Sequence, residues 1–147
     1  MPQGAGGGGV VGWRAMDWEE LVVAAATARQ AAYTPYSHFK VGAAVRMEDG
    51  SLHSGCNVEN RSFGLTLCAE RVALAAAVAA GNRKPAALAV VTDVHPPAVP
   101  CGLCLQSLAE FADPELPILL SNPDGERREF RLQELLPRPF VFPEDRG

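Results

Sequence analysis

The sequence predicts an α/β fold built on a sheet with antiparallel and parallel members. Three observations carry this. Two β-type runs, residues 41–47 and 52–58, flank Asp49-Gly50, a dipeptide that favours a tight hairpin. A short unbroken apolar run, residues 86–92, has the pattern of a strand buried on both faces. Helical stretches alternate with strands after the hairpin, which is the order of βαβ crossovers. The 147 residues correspond to one domain, and 48 % hydrophobic content is enough for one core without staples.

Residues 1–15 are glycine-rich and are expected to form a disordered leader, with a single domain over residues 16–147. Asp17 is placed to cap the first helix, with Glu20 three residues on as in a capping box. Trp18, Leu21, Val22 and Ala25 make its apolar face, and the helix should fade near Ala32. Tyr33-Thr34-Pro35-Tyr36-Ser37-His38-Phe39 is an aromatic loop fixed by Pro35. After the hairpin, Thr66 is the expected N-cap of a helix running to about Ala80. Gly81 suits its C′ position and Pro85 blocks continuation. Pro96, Pro97 and Pro100 stiffen the loop to a further helix, which starts near Cys101 and ends near Phe111. A strand is expected at residues 117–121, a turn at 122–125, an edge strand at 128–132 and a short helix at 132–136.

A formal net charge of −4 counts against a protein that grips nucleic acid through its phosphates. No segment has the unbroken apolar length needed to span a bilayer. The N-terminus shows neither a basic n-region nor an apolar h-region, so no signal peptide is expected and the cytoplasm is the expected location. In that reducing compartment the four cysteines, Cys56, Cys68, Cys101 and Cys104, are expected to bind metal or do redox chemistry rather than form disulfides.

Cys101 and Cys104 form a C-x-x-C pair at a helix start, and Cys68 also stands at a helix start. Helix N-termini carry partial positive charge, which favours thiolates. Three thiolates leave the fourth position of a tetrahedral zinc open for a water of lowered pKa. They also leave a net charge of about −1, which opposes that acidity. Arg71, three residues after Cys68 on the same helix face, is the candidate for offsetting this charge. Glu70, two residues after Cys68, is the candidate proton shuttle. Three other arrangements compete: a closed structural site with Cys56 as fourth ligand, a redox dithiol of Cys101 and Cys104, and ligation by His53 or His95.

Cys68-Ala69-Glu70 followed by Pro100-Cys101-x-x-Cys104 resembles the zinc nucleoside deaminase signature. Tyr33-Thr-Pro-Tyr-Ser-His-Phe-Lys-Val-Gly-Ala-Ala, Gly55-Cys-Asn-Val-Glu-Asn, Leu65-Thr-Leu-Cys-Ala-Glu-Arg and Leu135-Leu-Pro extend the likeness. Together they resemble the cytidine deaminase family, of the short-chain, three-cysteine type, over residues 17–145. The resemblance implies a three-layer α-β-α domain around a mixed, roughly five-stranded sheet. It implies zinc on Cys68, Cys101 and Cys104, with Glu70 moving protons between water, ring N3 and the leaving amine of a pyrimidine nucleoside. Phe39 would pack on the pyrimidine, Asn57 and Glu59 would hold the ribose hydroxyl groups, and the Ala69 N–H would help read the base. It further implies a homotetramer in which Phe140 of a neighbouring chain contributes to the site.

There are two departures. Leu105-Gln106 follows Cys104 where the family usually has Arg-Gln, so Arg71 carries more of the charge compensation. Phe63 stands where relatives often have Tyr, and one pocket-edge hydroxyl is lost. The expected activity is deamination of cytidine and 2′-deoxycytidine for pyrimidine salvage. Competing readings are deamination of another aminopyrimidine nucleoside, such as a nucleoside antibiotic, a zinc-stabilised binding protein without turnover, and editing of polynucleotides.

Overall fold

The computed structural model of the protein describes residues 10–143. Helix α1 spans Val10–Arg29. Strands β1 (Val41–Met47) and β2 (Leu52–Cys56) form the hairpin, and α2 (Ala69–Ala79) leads to β3 (Pro85–Thr92). Helix α3 (Gly102–Phe111), β4 (Pro117–Ser121), β5 (Arg127–Arg131) and the short α4 (Leu132–Leu135) complete the chain. The strands lie in the order β2-β1-β3-β4-β5. Among the described strands of this sheet, β3 and β4 pair in parallel, through the α3 crossover, and the other neighbours are antiparallel.

Side-chain alternation in β1 separates the two faces. Ala44, with Ala87, Ala89, Val91 and Leu119, packs against Trp18, Leu21 and Ala25 of α1. Ala43 and Val45, with Leu88, Val90, Ile118 and Leu120, pack against Ala73, Leu74 and Ala77 of α2 and Leu105 and Leu108 of α3. The result is three layers, α1 on one face of a mixed five-stranded sheet and α2, α3 and α4 on the other. Two glycines permit the close approach. A Cβ on Gly42 would lie 1.9 Å from the Ala25 carbonyl oxygen of α1, and one on Gly55 would lie 2.7 Å from the Ala73 nitrogen of α2. The bare backbone at these points sets how deeply each helix sits on the sheet.

Several boundaries differ from the sequence expectation. Helix α1 begins at Val10, so Asp17 lies within it and is not its N-cap. Extending a helix backwards adds one hydrogen bond per residue fixed, whereas a new start must nucleate. Glu20 pairs instead with Arg46 of β1. Residues 1–9 of the expected leader lie outside the described residues, and the other six belong to α1. The N-cap of α2 is Cys68, not Thr66. Val58 and Leu67 exchange backbone hydrogen bonds at 2.9 Å, which holds the chain extended up to Cys68. Strand β2 stops at Cys56 because Asn57 turns its carbonyl to Tyr33, while Val58 bridges Tyr33 and Leu67. A 3₁₀ turn at Phe63–Leu65 had no sequence signal. The end of α2 is as expected. Gly81 has φ +98° and its N–H donates to Val78, while the Asn82 N–H donates to Ala77, both at 2.9 Å.

Candidate active site

Three cysteines converge where α2 and α3 begin. Cys68 is the N-cap of α2, Cys101 is the N-cap of α3, and Cys104 lies in the first turn of α3. Both caps have extended backbone, so each sulfur projects beyond the first helical turn. The sulfurs lie within 4.8 Å of one another. Cys68 and Cys101 are 3.7 Å apart, and Cys101 and Cys104 are 3.5 Å apart. Sulfurs on a tetrahedral zinc with bonds of about 2.3 Å stand about 3.8 Å apart, so the donor set and its spacing fit zinc. All four cysteines are free thiols. Cys56, paired with Gly42 across the hairpin, is not in the cluster, and no fourth His, Cys, Asp or Glu joins it among the described residues. A closed Cys₄ site is therefore excluded by placement. His53 contacts Ser51 and Asn82, and His95 contacts Asp124 and Glu126, so neither is a ligand of this cluster.

The cluster is poised for anionic sulfur. The Cys68 thiol is held down at about 5, first by the hydrogen bond from Cys104 and then by Arg71. Cys104 is pushed up by that same shared proton, by its burial and by the Glu70 carboxylate, so Cys68 ionises first of the two. The Arg71 guanidinium places Nη2 3.6 Å from Cys68 Sγ and 3.3 Å from the Thr66 carbonyl oxygen, which braces it. Leu105 follows Cys104 but is 5 % exposed and packs in the core with Leu108 and Leu74, so it brings no charge to the sulfurs. Glu70, in the first turn of α2, is 6 % exposed. Burial pushes its carboxyl up, and the neighbouring Cys68 thiolate adds to the rise.

A cavity of about 170 Å³ opens beside these groups. Cys68, Ala69, Glu70 and Cys101 line it, and so do Phe39, Val41 and Asn57. Thr66, Leu67, Val90, Thr92, Ala98 and Val99 complete it. A second cavity of about 370 Å³, lined by Tyr36, Ser37, Glu59, Phe63 and Thr66, shares Thr66 with the first. Of the residues expected at the site, Cys68, Cys101, Glu70, Ala69, Phe39 and Asn57 thus meet in one cavity and Glu59 lines the adjoining one. Cys104, the third sulfur of the cluster, lines neither cavity and is buried. Arg71 lines neither cavity and reaches the site through Cys68. Phe140 lines neither and is 67 % exposed, its backbone held by the Gln106 amide. Phe63 is also exposed, with its ring edge-on to Tyr36 at 6.4 Å.

Sequence reasoning missed Val41, Thr66 and Leu67 as pocket residues, together with a group from the β3 end and the following loop. Val90 and Thr92 close strand β3, and the Thr92 hydroxyl accepts the Ala98 N–H at 3.2 Å. A buried strand run gives no sign of which end meets a cavity. The crossover does, because ligands collect at the carboxyl ends of parallel strands.

An open three-sulfur metal position beside a buried carboxylate, at two helix N-termini on an α/β sheet, defines a zinc hydrolase centre. A family model described as "Cytidine and deoxycytidylate deaminase zinc-binding region" matches residues 16–120. The chain is 46 % identical over 125 residues to a cytidine deaminase of Sporosarcina psychrophila, covering 85 % of this chain and 92 % of the relative. It is 47 % identical over 126 residues to a cytidine deaminase of Halalkalibacterium halodurans, covering 86 % and 96 %. The crystal structure of cytidine deaminase from Burkholderia pseudomallei superposes with a TM-score of 0.80 at 49 % identity, covering 83 % of this chain and 98 % of that one. The chain belongs to the cytidine and deoxycytidylate deaminase family.

Proposed function

We propose that this protein catalyses the zinc-dependent hydrolytic deamination of cytidine and 2′-deoxycytidine to uridine and 2′-deoxyuridine, releasing ammonia in pyrimidine salvage. The observation that carries this is Glu70, a buried carboxylate two residues from one sulfur of a three-cysteine cluster and lining the same cavity as Cys68 and Cys101. Zinc bound by Cys68, Cys101 and Cys104 supplies a water acidic enough to act as a nucleophile near neutral pH. Glu70 takes one proton of the attacking water at its carboxylate and delivers it to ring N3 as the water oxygen bonds C4. It then takes the second proton from that oxygen and gives it to the 4-amino group, so that the C4–N bond breaks, the C4 carbonyl forms and ammonia leaves. A carboxyl whose pKa burial has raised is suited to holding a proton between these transfers.

Placement along the two cavities supports the substrate roles. Phe39 packs on the pyrimidine ring, and the Ala69 N–H, beside Glu70, reads the base edge. Asn57 and Glu59 hold the ribose, each keeping polar capacity beyond its protein contacts. Arg71 offsets the negative charge of the sulfurs through Cys68.

Exposed Phe63, Leu65, Leu103, Phe140 and Phe142 support a homotetramer, with Phe140 of one chain completing a neighbour's site. Four free thiols favour the cytoplasm. Among the described residues, no helix is long and apolar enough to cross a membrane.

The test is direct. The zinc-loaded protein should convert cytidine and 2′-deoxycytidine with loss of their absorbance and stoichiometric ammonia. A pure, zinc-replete preparation that leaves both unchanged would overturn the reading and favour a binding protein. Ammonia from another aminopyrimidine nucleoside alone would redirect the substrate.

A further inference from the structure

The loop after α1 and the segment after β2 are stitched together beside the pocket. The Tyr33 N–H donates to Asn57 O at 3.0 Å, and the Glu59 N–H donates to Tyr33 O at 2.9 Å. Side chains then brace the loop further along. Glu59 Oε1 accepts the N–H groups of Tyr36 and Ser37, each at 3.1 Å, and Oε2 accepts the Ser37 hydroxyl. The same Ser37 oxygen accepts the Phe39 N–H at 3.0 Å. Asn57 Nδ2 donates to Phe39 O at 2.8 Å, so the Phe39 backbone is fastened on both sides. Between Ser37 and Phe39, His38 has φ 58°, a left-handed conformation that side chains rarely adopt. Its own N–H bonds Thr34 O at 3.0 Å. Such a conformation persists only where its neighbours over-determine it, as Ser37 and Asn57 do here.

We infer that Ser37 is a positioning residue whose hydroxyl couples the Glu59 carboxylate to the Phe39 ring, so that the ribose contact and the base contact are set as one unit. This rests on the roles proposed above for Glu59 and Phe39. A hydroxyl has one proton to give and two lone pairs to receive. Ser37 gives the proton to Glu59 and receives the Phe39 N–H, a pair of bonds that alanine cannot make and threonine can. A carboxylate has about four acceptor sites. Three are filled by Tyr36 and Ser37, which leaves one on Oε2 for a single ribose hydroxyl. The cavity that holds Glu59 is lined by Ser37 itself and adjoins the zinc cavity at Thr66, so a shift of this brace moves both walls of the substrate path.

The interaction acts on substrate and transition state nearly alike, because Glu59 holds the ribose, which does not change charge, and Phe39 exchanges neither a proton nor a bond with the ring it packs on. Losing it should raise KM and leave kcat nearly intact. The test uses zinc-loaded full-length protein with Ser37→Ala, Ser37→Thr, Glu59→Gln and the Ser37→Ala/Glu59→Gln double variant. Each is assayed for kcat and KM with cytidine and for uridine affinity by calorimetry, with zinc content measured in parallel. Ser37→Ala should raise KM and weaken uridine about five- to tenfold, with kcat within about twofold. Ser37→Thr should restore both to within about twofold of wild type. The double variant should be no worse than Glu59→Gln by more than about twofold, because the two residues act through one contact. A merely structural role would lower the active fraction and hence kcat at constant KM. An unchanged KM in Ser37→Ala, failure of threonine to restore it, or additive effects in the double variant would each overturn the proposal. Wild-type protein that neither deaminates cytidine nor binds uridine would remove the functional reading and this proposal together. Normal wild-type behaviour with a silent Ser37→Ala would remove this proposal alone.

Discussion

Glu70 and Arg71 are adjacent on α2 and do opposite electrostatic work. Glu70 is buried and its carboxyl is raised by that burial, which keeps a proton close at hand. Arg71 keeps a permanent positive charge 3.6 Å from Cys68. Replacing Glu70 with Gln retains the size and the helix but removes the proposed proton carrier. We expect kcat to fall by at least about a hundredfold with zinc content unchanged. Loss of zinc in that variant would instead make Glu70 a ligand. Arg71→Gln should reduce kcat/KM or zinc affinity by about 10- to 100-fold, measured by steady-state kinetics and competition with a chelator. Leu105 is where an added arginine would seem to reinforce Arg71. The core packing of this side chain gives a different expectation: Leu105→Arg should lower the melting temperature, because a guanidinium would have to enter an apolar cluster. The family pattern had pointed to a missing charge beside the sulfurs at this position, since the spacing from Cys104 does not say which way the side chain turns.

At the level of elements, the site depends on how closely α2 lies on the hairpin. Gly55 lets the backbone of α2 approach β2, and Cys68 begins that helix. Gly55→Ala would bring a methyl 2.7 Å from the Ala73 nitrogen and 2.8 Å from Val72, so the helix must shift. We expect a loss of about 1–3 kcal/mol in urea unfolding, accompanied by weaker zinc retention as Cys68 moves off the other two sulfurs. The sequence marked the far end of α2, at Gly81, because one left-handed glycine settles it. Its near end was misplaced by two residues, because Thr66 is a good cap by type and only the pairing of Leu67 with Val58 keeps it out of the helix.

Across the whole molecule, the loop that delivers Cys101 is tied to the β4–β5 turn. His95 contacts Glu126 and Asp124, each at 3.0 Å, and these carboxylates, Glu126 foremost, raise its pKa above the ordinary value. Because the folded pKa exceeds the unfolded one, the stabilisation is complete below about pH 6.5 and is lost as pH rises through the raised value. Glu126, whose own pKa is lowered by His95, sets the acid limit of this window. Thermal melts should therefore show wild type above His95→Gln at pH 6, with the two converging by pH 8.5. Removing zinc with a chelator should lower the melting temperature and abolish activity, and added zinc should restore both.

Much of this protein is determined by local order along the chain. Cysteine spacing, a carboxylate two residues from a sulfur, the Asp49-Gly50 turn and the strand–helix alternation are all short-range features, and they pointed to the α/β class, the three cysteines that cluster and the buried carboxylate beside them. Tertiary structure decided the rest. It excluded Cys56, turned Leu105 into the core, carried Thr92 and Ala98 to the pocket and made Glu59 a brace for the loop that carries Phe39. Each of these depends on which residues distant in sequence become neighbours. Strand order and helix depth set those contacts, and local spacing carries no record of either.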